Sequence, residues 1–396
     1  MLQVFHDANF RLMWGTKYLF LAFSALCTLG SFLVIGFIGF NYGIDFAGGT
    51  AVQVRFLGAP PIDAIRSEME RAGLGDVTLQ RIGAETDHEI LIRVERDAKA
   101  AGKEGEGGNI SLKVLDALRR MQGGEEQGDR LDLNMVSEAS LREWISTHRP
   151  APADPSVTAP SPDAAAIAAA IVKGRNDRKG LFSDMTELST IPGVDAALVA
   201  AFKDQARLGQ FALRGVDFVG PTAGKELLQN TGWAILGAVA GILIYVWFRF
   251  HKIAWGLASI VALVHDVVIA AGAVALTGKE FSLPVVAALL TILGYSINDT
   301  IVVFDRIREN LRLYRDLDFE TVVNGSVNQT LSRTVLTSFT VFVAVTALFL
   351  YGGEKLNPLS FCLMVGVVFG TYSSIFVAAS LLVLAYKHLG PKYVKA

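Results

Sequence analysis

The sequence predicts a polytopic α-helical membrane protein: six transmembrane helices, with an α+β, ferredoxin-like domain outside the membrane between helices 1 and 2. Three observations carry this reading. Of 396 residues 52% are hydrophobic and only 19% charged, with a mean hydropathy of +0.40, which is too apolar for a water-soluble chain of this length. Six apolar runs, at 18–40, 231–248, 253–276, 281–304, 334–352 and 358–386, each come near or exceed the ~20 residues that span a bilayer. Basic residues segregate, with Arg11, Lys17, Arg249, Lys252, Arg306, Arg308, Arg312, Arg315, Lys387, Lys392 and Lys395 on one side and only Lys279 and Lys355 in the short loops of the other. By the positive-inside rule both termini are cytoplasmic.

The first run holds 23 residues without a charge and no small-residue cleavage site follows it, so it reads as a retained anchor. The boundaries expected are a cytoplasmic N-terminus at 1–17, helix 1 at 18–40, an outer domain at 41–229, helices 2 to 6 within 230–387, and a cytoplasmic tail at 388–396. The outer domain opens with the alternating "TAVQVRFL", then the helical "PPIDAIRSEMERAGL", then the strands "DVTLQRI" and "HEILIRVER". That β-α-β-β order predicts a split βαβ sandwich. Residues 97–206 depart from the plan and read as an insert, a mobile or separate subdomain, with the linkers "AGKEGEGGN" and "HRPAPADPSVTAPSPDAAA" around a helix-prone piece at 112–148. The strand "GQFALRGVDFVG" then returns toward the second helix.

Net charge of −2 argues against nucleic-acid binding, which needs clustered excess Lys and Arg. Cys27 and Cys362 sit in apolar runs and read as small hydrophobes; a lipoprotein signal at Cys27 is disfavoured by Leu26 before it. No nucleophile–base pair, cofactor motif or metal-ligand spacing is visible, so the chain is not expected to be an enzyme. "GAVAG" (Gly237 to Gly241) and "GVVFG" (Gly366 to Gly370) place small residues four apart, and at least one stripe should pack closely on another helix.

Polar residues inside the runs are the candidate site, because intramembrane charges are costly and mark ion pathways. Thr291, Tyr295 and Asp299 share one face of the fourth helix, flanked by Asn298. Asp299 lies about 7 to 8 Å inside the cytoplasmic end of its run. Arg333 begins the fifth run at similar depth, with Thr337 and Thr340 continuing its face, which allows either an Asp299–Arg333 pair or an Arg333 that snorkels to the interface. In the third helix Asp266 lies about 20 Å along, near mid-membrane, on a stripe with Ala258, Ala262 and Ala270 that should face another helix. His265 beside it either titrates or serves as a buried donor. "YGIDFAGGT" (42–50), with Gly43, Asp45, Gly48 and Gly49, reads as a tight bend from the first helix into a strand.

Taken together, "GIDFAGGT", "VDFVGPTAGKELLQNTG", "VWFRFHK", "ALVHD" and "GYSINDTIVVFDRIREN", in this order around six helices, resemble the SecF family of protein-export membrane proteins, related to the resistance-nodulation-division superfamily. The resemblance covers the first 56 or so residues and 209–387, about 60% of the chain, and the insert departs from the usual pattern. It implies an accessory subunit of the Sec translocon in the cell inner membrane, its large domain periplasmic. Such a subunit works with SecD, SecYEG and YajC and uses the proton-motive force to draw unfolded secretory polypeptides outward. It also implies that Asp299 of "SIND" and Arg333 of "SRT" belong to a proton pathway, and tips the choice toward an Asp299–Arg333 pair. The alternative is a proton-coupled exporter of the related superfamily, but such exporters carry two six-helix halves where this chain has one, so a separate six-helix partner is implied.

Overall fold

A computed structural model describes residues 10–13, 15–75, 77–82, 85–94, 107–121, 130–148 and 163–390. Most of the glycine-rich linker (101–106) and most of the Pro/Ala linker (149–162) fall outside the described residues. The chain forms two compact units, Met1–Phe46 with Lys225–Ala396, and Ala47–Gly224.

In the first unit α1 (Thr16–Phe37) is followed by a short strand β1 (Asn41–Tyr42) and a single turn α2 (Ile44–Ala47). Gly48 and Gly49 then take φ of +71° and +127°, backbone space that side chains resist, where the chain passes from α2 into β2 (Gly49–Phe56).

The second unit continues with α3 (Ile62–Arg71), β3 (Val77–Ile82), β4 (Glu89–Val94) and α4 (Gly107–Met121). Next come β5 (Leu131–Asp132), α5 (Glu138–His148), α6 (Ala164–Asp177), α7 (Ala196–Gln205), β6 (Ala206–Arg207) and β7 (Phe211–Val219). Its main sheet is antiparallel in the order β3-β4-β2-β7. Val52, Val54, Ile90 and Ile92 from the sheet meet Ile65 and Met69 of α3 and Val114 and Leu118 of α4 in one buried core.

Helix α4 lies within the range read as an insert, yet it packs on this sheet in one core with α3. Its apolar side, Val114, Leu115 and Leu118, supplies the reason. Residues beyond it build a separate helical core from Leu133, Leu141, Ile171, Phe182 and Phe202. There the side chain of Asn134 donates to the carbonyls of Phe182 and Gly209 and accepts from Phe182 N. A buried amide so paired staples the lobe without desolvation loss.

Among the described residues six helices are long and apolar enough to cross a membrane. After α1 they are α8 (Pro221–Phe250), α9 (Ile253–Leu276), α10 (Leu283–Leu313), α11 (Phe319–Tyr351) and the composite Asn357–Leu389. The last comprises α12 (Asn357–Tyr372), a π-helical segment (Ser373–Ala378) and α13 (Ala379–Leu389). Between α9 and α10 lies β8 (Glu280–Phe281), which pairs in parallel with β1.

Several helices outrun the apolar runs that foretold them, because their ends are held by polar contacts rather than by lipid. Asp318 caps α11 by accepting from the N–H and hydroxyl of Thr321, and these bonds hold its carboxyl below the usual carboxylate range. Asn324 Oδ1 accepts from Leu12 N and Met13 N, Asn328 Oδ1 accepts from Phe10 N, and Lys17 pairs with Glu320 at 2.5 Å. These bonds dock the segment before α1 onto the first turns of α11.

The two glycine stripes differ. A Cβ at Gly366 would lie 2.2 Å from Ile292 Cδ1, and one at Gly370 3.3 Å from Ser296 Cβ, so α12 rests on α10 through them. Gly237 and Gly241 have nothing within 4 Å and lie open on α8. Gly366→Leu should therefore cost about 1 to 3 kcal/mol or more through overpacking. Gly237→Leu with Gly241→Leu should leave the isolated chain's thermal unfolding in detergent unchanged, and equal effects would contradict this packing.

Candidate functional site

Helices α9, α10 and α12 converge on Asp266, whose side chain is 0% exposed. Ala258, Ala262 and Ala270 on its stripe are buried as well, which lets neighbouring helices come close. Its Oδ2 accepts from Ser296 Oγ at 2.5 Å and from Ser373 Oγ at 2.7 Å, and its Oδ1 lies 2.8 Å from His265 Nδ1. His265 Nε2 is buried without a hydrogen-bond partner among the described residues, its ring beside those of Phe369 and Tyr372. The next serine, Ser374, shares a hydrogen bond with Thr300 at 3.0 Å. Successive serines serve two neighbours because they begin the π-helical segment, a widened turn that recurs at functional sites.

Asp299, 4% exposed, is one turn further along α10. Ser338 Oγ of α11 lies 3.4 Å from its Oδ2, and the same hydroxyl accepts from Tyr295 Oη at 3.0 Å and Thr371 Oγ1 at 2.6 Å. Ser296, which touches Asp266, and Asp299 are three residues apart on α10, about 4.5 Å along its axis at 1.5 Å per residue. Run lengths locate each acid on its own helix and say nothing of how the helices are staggered. The separate depths read from sequence therefore merge into one polar layer.

Arg333 does not pair with Asp299 here. Among the described residues no ion pair joins them, and Arg333 is exposed 14 positions inside α11 rather than at its start. Asn298 and Thr337 are exposed too, the Thr337 hydroxyl donating to the carbonyl of Arg333 at 3.0 Å. Thr291, Gly294 and Asn298 of α10 and Arg333, Thr337 and Thr340 of α11 thus lie on the outer surface of this chain. Sequence periodicity put Thr291, Tyr295 and Asp299 on one face. Burial separates them, with Asp299 inside, Tyr295 half-buried and Thr291 outside.

Ser296, Ser338, Thr371, Ser373 and Ser374 were not singled out from sequence. The available signal was the unbroken hydroxyl run "TYSS" (371–374) inside an apolar segment.

The Gly43–Gly49 bend reaches the same helix from its other end. Asp45 Oδ2 accepts from Leu283 N at 2.9 Å, while the N-cap Ser282 makes no side-chain capping bond. Gly43 N donates to Phe281 O at 2.9 Å, and a Cβ at Gly43 would lie 2.3 Å from Glu280 Oε1. Asp45 is therefore the effective cap of α10, supplied from a distant part of the chain.

Comparison with known proteins gives the lineage. Residues 33–56 match the family model described as SecD/SecF GG Motif, and residues 200–388 match Protein export membrane protein SecD/SecF, C-terminal. A relative from Koribacter versatilis named Protein translocase subunit SecF is 38% identical over 96% of this chain and 93% of its own length. The chain belongs to the SecF family. A SecF from Desulfurispirillum indicum is 35% identical over 94% of this chain and 90% of its own. These alignments run through the range read as an insert, so the SecF relatives share most of it. The crystal structure of SecDF from Thermus thermophilus, a translocon-associated membrane protein, is similar with a TM-score of 0.63 and 30% identity over 96% of this chain. SecDF in a super-membrane-facing form gives 0.53 and 31% over 98%. This chain spans 39% and 40% of those SecDF chains.

Asp45→Ala should uncap α10 at a cost of about 0.5 to 2 kcal/mol. Hydrogen exchange should rise at the amides of residues 283–286, and Asp45→Asn, which keeps an acceptor, should stay near the parent. Unchanged exchange in Asp45→Ala would remove Asp45 from this role.

Proposed function

We propose that this chain is a SecF subunit that works with SecD beside the SecYEG translocon and YajC, and couples proton entry to the export of unfolded secretory polypeptides. The observation that carries the pairing is the outer face of α10 and α11, where Asn298, Arg333, Thr337 and Thr340 are exposed midway along apolar helices. An arginine facing hydrocarbon costs several kcal/mol. A second polytopic chain laid over this face removes that cost, and SecDF, in which similar sequence is part of a longer chain, supports SecD as that partner. The distribution of basic residues supports cytoplasmic termini and a periplasmic Ala47–Gly224, and in this reading the chain sits in the inner membrane. The β3-β4-β2-β7 order with α3 and α4 against it supports a ferredoxin-like core for the outer unit.

Asp299 is the proton carrier in this reading, with Asp266 and His265 as the fixed interior part of the polar pathway beside it. Desolvation favours a neutral carboxyl and a nearby guanidinium favours an ionised one. Approach of Arg333 therefore drives release, and withdrawal drives capture. Asn298 and Thr337 line the route between the two side chains. One proton crossing 100 mV supplies about 2.3 kcal/mol, against about 5.5 kcal/mol to invert a two-state population from 1:99 to 99:1. The cycle thus needs a pH gradient in addition, several protons, or two conformations close in energy.

Asp299→Asn should fold and assemble with SecD, since the amide mimics the neutral acid, yet lose the gradient-dependent part of export in membrane vesicles. Arg333→Lys keeps the charge without the planar fork and should retain part of it. Asp299→Asn vesicles that gain from a proton gradient as much as the parent would make the acid structural.

A further inference from the structure

Away from the acids, a cleft of about 420 Å³ opens beside the end of α8, lined by Arg249, Asp305, Arg308, Glu309, Arg312 and Leu313. Helices α8 and α9 are joined by only His251 and Lys252, which fixes Arg249 at the end of a membrane-crossing helix. Directly before it α8 presents Tyr245, Trp247 and Phe248 outward, Phe248 being 73% exposed. Aromatic residues of this kind mark the headgroup level. Helix α10 continues past that level to Leu313 and carries Arg308 and Arg312, four apart on one face, above the cleft.

The carboxylates in the cleft already have cations. Asp305 Oδ2 pairs with Arg249 at 2.6 Å and its Oδ1 lies 4.0 Å from Arg308, while Glu309 pairs with Arg306 at 2.7 Å. Arg308 donates to the carbonyl of Arg249 at 3.1 Å and its guanidinium stands 5.7 Å over the Phe250 ring, so it is held in position. Arg312 has no carboxylate within 4.0 Å among the described residues. The lining therefore keeps unspent positive charge next to an exposed apolar helix face.

We propose that this cleft binds the phosphate of an anionic phospholipid, with its acyl chains lying along the outer face of α8. Basic pockets between transmembrane helices suit such headgroups, and the apolar ramp selects a lipid over free phosphate. The test is native mass spectrometry of the full chain with phosphatidylglycerol and phosphatidylcholine at equal concentration. The parent should retain one phosphatidylglycerol in preference. Arg312→Gln should weaken that binding about fivefold and Arg308→Gln with Arg312→Gln about thirtyfold. Arg315→Gln, outside the cleft, should bind as the parent does, and millimolar inorganic phosphate should not displace the lipid. Equal retention of both lipids, undiminished binding by the double variant, an equal loss in Arg315→Gln, or full displacement by phosphate would each overturn the proposal.

Discussion

Everything in the membrane unit is arranged around one constraint, that a carboxylate withdrawn from water must be given hydrogen-bond donors. Asp266 meets it with Ser296, Ser373 and His265. Those donors reach it only because the helices approach closely. A Cβ on Gly370 would lie 3.6 Å from Asp266 Oδ2, and one on Gly272 of α9 2.5 Å from Ser31 Cβ of α1. Small residues set the spacing, the spacing brings the hydroxyls within bonding distance, and the π-helical turn directs Ser373 to Asp266 and Ser374 to Thr300.

Asp299 lives under a weaker form of the same constraint. Its one close donor among the described residues is the shared hydroxyl of Ser338 at 3.4 Å, and it lies between the packed interior and the outward face bearing Arg333. A carboxyl with many fixed donors is held in one state, whereas one with a single long contact at a boundary can change state when its surroundings move. The helices carrying the pair are anchored at particular ends: α10 by Asp45 at Leu283, and α11 by Asn324 and Asn328 on the segment before α1. Both anchors flank α1, so a shift of that helix or of the chain leaving it acts on α10 and α11 together.

Much of this was legible in the sequence. Length and hydropathy of the runs marked the six helices, and alternation in "TAVQVRFL" and "HEILIRVER" marked strands that pair as β2 and β4. Asp266 stood out because its alanine stripe has one side compatible with close packing. Less legible was anything set by how helices lie side by side. Run lengths could not reveal that Asp266 and Asp299 share a layer, nor that Arg333 faces outward, since both follow from stagger and rotation fixed by packing. Helix α4 was absorbed into the insert because the glycine-rich stretch before it resembles a linker, while its amphipathic face commits it to the sheet. Asp45 read as part of a turn because its bond to Leu283 crosses 238 positions.

The central claim is that Asp299, rather than the more deeply held Asp266, changes its protonation state. Infrared difference spectroscopy of the complex with SecD, recorded as the pH is raised, tests it most directly. A carbonyl band of a protonated side-chain carboxyl should disappear on alkalinisation, be missing in Asp299→Asn and persist in Asp266→Asn. A band that survives in Asp299→Asn, or the absence of any pH-sensitive carboxyl band in the parent, would contradict the account.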